Sequence, residues 1–240
     1  YIKFDESFYL KKAKEIFNWV NNFMTSDNGA FYSTIDADSE GKEGKYYIFS
    51  KKELDDNFNE SDINFIKEYF LDINKTNFEG NYHLHVHRKK ENLFKKNINQ
   101  YEHIIDKFSD IRRNKIMPNI DMKILLSWNC LYIKGLIKLY KITNESKVLN
   151  TIDKTLDFIS KKMIKDKIIY SCFNDGACFP GYLDDYALLA SVLIDYLSIK
   201  WSSKYYKLCK RICDDIINKF EDTENGGYYF TSNDHEKLFY

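Results

Sequence analysis

Two segments near opposite ends of this chain align without a gap. They read FMTSDNGAFYSTIDAD at residues 23–38 and FEDTENGGYYFTSNDH at residues 220–235. Each follows a stretch of helical periodicity ending in Phe. Each then gives an acid, Asn-Gly, a small residue, two aromatics and a polar tail. Asn-Gly stops a helix because glycine enters the left-handed region without steric cost. Recurrence of helix, glycine stop and short aromatic strand marks a repeat architecture. The chain is thereby confined to folds built from a recurring helical hairpin.

The hydrophobic pattern indicates how such hairpins would stack. Tyr205, Leu208, Cys209, Ile212, Cys213, Ile216, Ile217 and Phe220 follow helical spacing, with Lys204, Lys207, Lys210, Arg211, Asp214 and Asp215 opposite. That is a helix with one wet side. Residues 149–163 and 8–24 have the same character, and 93–111 reads as a further helix. By contrast, 186–197 (YALLASVLIDYL) is apolar almost all round, and 128–140 (WNCLYIKGLIKLY) is broadly apolar with a narrow lysine stripe. Buried and amphipathic helices therefore alternate, as two concentric helical layers require; an ordinary helical bundle can produce the same pattern. Together with the repeat, the alternation predicts an all-α chain, a toroid of two concentric helical layers with short strands in its loops. It is expected to form a single domain over residues 1–240.

In such a ring the C-termini of outer helices and the N-termini of inner helices share one face. The polar motifs fall at those ends: the two glycine stops, LSWNC at 126–130 and GYLDDYA at 181–187. Their expected convergence on one mouth sets the candidate site. Asp36, Asp38, Glu40 and Glu43 crowd the first repeat, Trp128 and Asn129 begin one inner helix, and Asp184, Asp185 and Tyr186 begin the other. Carboxylates accept hydroxyl hydrogen bonds and rings cover C–H faces, so a sugar or sugar derivative is the expected ligand. A carboxylate pair can also divide acid and base roles. Asp38 aligns with His235, and Asp38, Asp185 and His235 are the candidates for proton transfer. Asp36, Glu40, Glu43, Trp128, Asn129, Asp184, Tyr186 and Asp234 are the candidates for substrate binding. Each has a plainer role to set beside this one: Asp184 or Asp185 as a helix cap, Trp128 as core, the acids of 36–43 as a solvated loop.

Other chemistries fit less well. Lys+Arg and Asp+Glu balance at 36 each, which argues against nucleic-acid binding through phosphate neutralisation. DADSEGKE at 36–43 opens like a calcium loop, but the position needing a bidentate Glu is Tyr47. His83, His85 and His87 in HLHVH could face a zinc ion from a strand but have no clear fourth ligand. No metal and no cofactor is expected. Five cysteines form no CxxC; Cys209 and Cys213, four apart on a helix, read as buried thiols. An odd, scattered set fits a reducing, cytoplasmic setting. No signal peptide and no membrane-spanning run is apparent. The chain opens with Tyr, which suggests a segment of something longer.

At these same residues the chain resembles a known family. GAFYSTIDADSEGKEGKYYIFSKKEL, NFEGNYHLHV, DMKILLSWNCLYIKGL, GYLDDYALL and NGGYYFTSNDHE occur in the order seen in YyaL-type proteins, the spermatogenesis-associated-protein-20-like, thioredoxin-domain-containing family. The resemblance covers essentially the whole chain. It implies a thioredoxin-like domain upstream and an (α/α)6 toroid akin to those of N-acylglucosamine 2-epimerases and six-hairpin glycosidases, of which this chain would hold part. The family's motif positions fall here on His85, Asp121 and Lys123 as well as on the site residues above. Cys130 in SWNC replaces a usual Gly or Ala, and Met122 stands where a second acid is common, so an acid contribution is lost there. Two functions follow as expectations: a carbohydrate-handling module, isomerase- or epimerase-like, or a non-catalytic interaction or scaffold module supporting the upstream domain through an unknown protein partner.

Overall fold

In the computed structural model, residues 7–86 and 97–234 are described. They form two compact units, residues 7–34 with 120–234 and residues 35–86 with 97–119. The described residues of the second unit pack around a centre of their own.

The first unit is helical. It contains α1 (Ser7–Phe23), followed in the second unit by α2 (Lys51–Asn57), α3 (Glu60–Tyr69) and α4 (Ile98–Arg113). The first unit then resumes with α5 (Leu126–Thr143), α6 (Ser146–Phe158), α7 (Leu183–Leu197) and α8 (Ser203–Phe220). Asn144 (φ 52°) turns α5 into α6 in the left-handed conformation that Asn tolerates. α6 runs into one π-helical turn, Ile159–Met163. The pairs α5–α6, α7–α8 and α5–α7 pack together. α5 and α7 bury one broad face each and leave Trp128, Leu131 and Ile194 exposed on the other, and α6 and α8 keep a charged wet side. The pairings give the layered packing of an α/α toroid, with the more apolar α5 and α7 side by side, though neither is surrounded by protein as the sequence pattern predicts. Ile133, Leu136, Ile137, Leu156, Leu189, Val192, Leu193 and Ile212 form the apolar core between the layers.

A small sheet closes one end of this unit. Strand Ile168–Phe173 pairs antiparallel with Ala177–Pro180 on one edge and with Ile124–Leu125 on the other. Both repeat segments form helix-stop loops, with Gly29 (φ 85°) and Gly226 (φ 78°) in the left-handed region. Each closes on an isolated bridge, Thr25 to Phe31 and Glu221 to Tyr228.

The second unit gathers α2, α3, α4 and two short strand pairs around an aromatic core. Phe49 and Phe58 each meet Phe108 at a ring separation of 4.6 Å, and Leu54, Phe65, Ile66 and Ile104 fill the space between. Its short helices are started by reciprocal capping boxes. Ser50 accepts from Glu53 N–H while Glu53 accepts from Ser50, and Asn59 and Asp62 repeat the arrangement.

Candidate functional site

In the first unit, both glycine-stop loops and the LSWNC and GYLDDYA motifs meet at the end where α5 and α7 begin. Asn129, 2% exposed, accepts from Phe31 N–H at 2.8 Å and donates to the Phe31 carbonyl at 3.0 Å. It also donates to the Leu125 carbonyl at 2.9 Å. The first glycine-stop loop is thus pinned to the start of α5. The second loop docks on α7, where Leu183 N–H donates to the Phe230 carbonyl at 2.9 Å and the Tyr182 and Phe230 rings stack at 5.1 Å. Asp185, 1% exposed, joins the two helices. One carboxylate oxygen accepts from Ser127 N–H at 3.2 Å at the start of α5, and the other accepts from Tyr182 N–H at 3.1 Å. These N–H groups have no intrahelical acceptor, so a carboxylate is what the ends of both helices require. Burial pushes the Asp185 carboxyl above its usual range. The neighbouring Asp184 adds to this, and hydrogen bonds from Ser171, Tyr182 and Ser127 only partly oppose it.

The remaining candidates of this unit differ in exposure. Tyr186 is buried edge-on against Phe220 at 5.1 Å, so its ring offers no face to solvent. Trp128 is 51% exposed and Asp184 is exposed. Asp234 is held by Lys219 at 3.0 Å and by the Ser232 hydroxyl, which together bring its carboxyl below the usual range. Asp121 pairs with Lys123 at 3.0 Å. His235, the proposed proton partner of Asp38, lies outside the described residues, as does His87.

The acids of 36–43 belong to the second unit. Asp38–Ser39 and Lys42–Glu43 form a hairpin around Glu40 (φ 52°) and Gly41 (φ 70°), the two left-handed positions of a type I′ turn. Asp38 stands directly across the ladder from Glu43, an arrangement that like charges disfavour. Asp36 accepts from Asp38 N–H at 3.1 Å. The hairpin is tied to the segment after α4 by the Ser39 hydroxyl, which donates to the Ile116 carbonyl at 2.6 Å.

Beside this hairpin lies a cavity of about 570 Å³. Glu40, Lys42, Glu43, Lys45, Tyr46, Glu53, Glu79, Asn81, Asn114 and Lys115 line it. Lys115 anchors its floor by donating to the Ile48 carbonyl, pairing with Glu53 at 2.9 Å and lying 4.7 Å above the Phe49 ring. Burial raises the Glu53 carboxyl, but hydrogen bonds from Ser50 and Lys115 outweigh it and leave the group below its usual range. Lys45 pairs with Glu40 at 2.6 Å. The side chains of Lys42, Glu43, Glu79 and Asn114 have no hydrogen-bond or ion-pair partner among the described residues. Of the sequence candidates, Glu40 and Glu43 line this cavity. Asp36 and Asp38 do not. Asn114 and Lys115 were missed because they lie outside every motif, and Lys42 because a lysine inside an acidic stretch reads as a solvated charge. Among the described residues, no group of three His, Cys, Asp or Glu is placed to hold a metal ion. No helix among them is long and apolar enough to cross a membrane.

No family model matches the sequence. Human spermatogenesis-associated protein 20 aligns at 23% identity over 93% of this chain and 34% of its own length. The mouse protein of the same name aligns at 21% over the same shares. The chain is similar in sequence to spermatogenesis-associated protein 20 along nearly its whole length. An uncharacterised Caenorhabditis elegans protein aligns at 26% identity over 92% of this chain and 36% of its own length. The chain thus spans about a third of the length of the curated relatives it matches. Among solved structures, cellobiose 2-epimerase from Bacillus thermoamylovorans superposes with a TM-score of 0.43 at 9% identity, covering 94% of this chain and 60% of that one. A likeness at that level carries no weight for substrate or reaction.

Proposed function

We propose that this chain is a carbohydrate-handling module, with the cavity beside the 38–43 hairpin as the seat for a neutral sugar. The observation that supports this reading is the cavity's composition. About 570 Å³ lies within the usual range for small-molecule sites. The uncommitted Glu43 and Glu79 carboxylates accept from hydroxyls, the Lys42 ammonium and Asn114 amide donate, and Tyr46 supplies a ring for a C–H face. A polyol has both donors and acceptors on every carbon, so it can satisfy such a wall; a simple ion cannot. Thermal unfolding with a panel of neutral mono- and disaccharides tests the proposal. A midpoint shift that is lost in both Glu43→Gln and Asn114→Ala supports it. The absence of any shift across the panel refutes it.

A second reading, a non-catalytic interaction or scaffold module for an upstream domain, draws support from Asn129, Asp185 and Tyr186. All three are buried and committed to holding the helices together rather than facing a ligand. In that case the sugar panel is silent, and partner capture survives Glu43→Gln.

A further inference from the structure

The sequence shows five cysteines without a redox motif, yet the fold places two of them opposite one another. In the hairpin that closes the helical unit, Cys172 on strand Ile168–Phe173 is the ladder partner of Cys178 on strand Ala177–Pro180. The Cys178 thiol donates to the Cys172 carbonyl at 3.5 Å, so it lies over its neighbour's backbone rather than pointing away. Directly opposed residues of an antiparallel ladder have Cα atoms roughly 4.5–5.5 Å apart, inside the roughly 4.4–6.8 Å that a disulfide spans. The two thiols differ in access. Cys172 is buried under the hairpin, and Cys178 is half-buried near the strand end, beside the exposed Phe179, whose φ of 60° turns the chain away.

We infer that Cys172 and Cys178 form a reversible dithiol–disulfide site that reacts with small-molecule disulfides. The Cys178 thiolate attacks one sulfur of the reagent R–S–S–R, forming a mixed disulfide and releasing one RS⁻. Cys172 then loses its proton and attacks the Cys178 sulfur, forming the intramolecular bond and releasing the second RS⁻. Two protein thiols are oxidised and one reagent disulfide is reduced to two thiols. The accessible residue receives the reagent and the buried one resolves it, the division of labour that the exposures dictate. Burial and the Cys178 thiol push the Cys172 thiol up to about 11, while Lys123 pulls the other way, so the resolving step quickens as pH rises.

The protein carries its own control. Cys209 and Cys213 also interact, but they sit four residues apart on α8, where Cβ atoms are about 5–6 Å apart. That exceeds the roughly 3.5–4.5 Å a disulfide needs.

The test is to treat the reduced, folded full chain with oxidised glutathione. It is then alkylated in denaturant and digested without reduction. The inference expects two of the five thiols to escape alkylation, the peptide holding Cys172 and Cys178 to be lighter by two hydrogens with no adduct, and dithiothreitol to restore both. In Cys172→Ser the glutathione should stay on Cys178, and in Cys178→Ser Cys172 should remain unmodified. A stable glutathione adduct on Cys178 in the unaltered chain overturns the inference. So does full alkylation of both residues, or a bond that forms between Cys209 and Cys213 instead.

Discussion

Replacing Asn129 with alanine removes the side chain whose hydrogen bonds hold the first glycine-stop loop to the start of α5. Three hydrogen bonds disappear, to Phe31 N–H, to the Phe31 carbonyl and to the Leu125 carbonyl. Leu125 is the N-cap residue, so its carbonyl retains an intrahelical donor and loses little. The two Phe31 groups are left buried without partners, and each such group costs about 1–3 kcal/mol. The sum is about 2–6 kcal/mol, and a water entering the vacated space would bring it to the lower half of that range. Urea denaturation followed by tryptophan fluorescence measures it cleanly, because Trp19, Trp128 and Trp201 all belong to the helical unit. Asn129→Asp is the companion variant: it keeps the acceptor for Phe31 N–H but sets a carboxylate against two carbonyls, and should be at least as damaging. A loss below about 1 kcal/mol in Asn129→Ala would refute the reasoning, since even one orphaned buried amide exceeds that.

Gly29→Ala should cost about 1–3 kcal/mol by the same assay, because a side chain at φ 85° is strained and its Cβ would sit 2.9 Å from Lys154 Cβ. Thr155→Val removes the buried 2.7 Å hydrogen bond to the Gly29 carbonyl and should lose about 1–3 kcal/mol with little change in packing volume. In the second unit, burial raises the Asp62 carboxyl, but Lys107, Asn59 and His103 outweigh it and leave the folded-state value below the unfolded one. Its contribution is therefore present above the unfolded value and lost as pH falls through the folded one. Hydrogen exchange across α3 should show this acid sensitivity, and Lys107→Met should weaken it.

Much of the helical unit was legible because its signals are local and periodic. The stripe from Tyr205 to Phe220 and the apolar run of 186–197 appear as α8 and α7, although α7 is not buried all round and leaves Ile194 exposed. The repeat was legible because a left-handed position after a helix calls for glycine, and Gly29 and Gly226 occupy it. α2 and α3 went unread although Ser50-x-x-Glu53 and Asn59-x-x-Asp62 announce them; at seven and ten residues they are too short to show a period. At the site, the sequence identified which ends matter but not which side chains face solvent. Asp185 is a buried tie and Asp184 is exposed, a difference set by tertiary contacts one residue apart. The Cys172–Cys178 pairing depends on hairpin register, and their spacing of six residues does not distinguish it from any other separation.

A single carboxylate fixing where two parallel helices start has a consequence for chain evolution. With Asp185 setting the register of α7 against α5, the segment running from Ile159 to Pro180 need not be a ruler. Its turn from Asn174 to Gly176 is free to lengthen or change, whereas Ile159, Met163 and Ile169 are held by the core and Ser171 must still reach the tie.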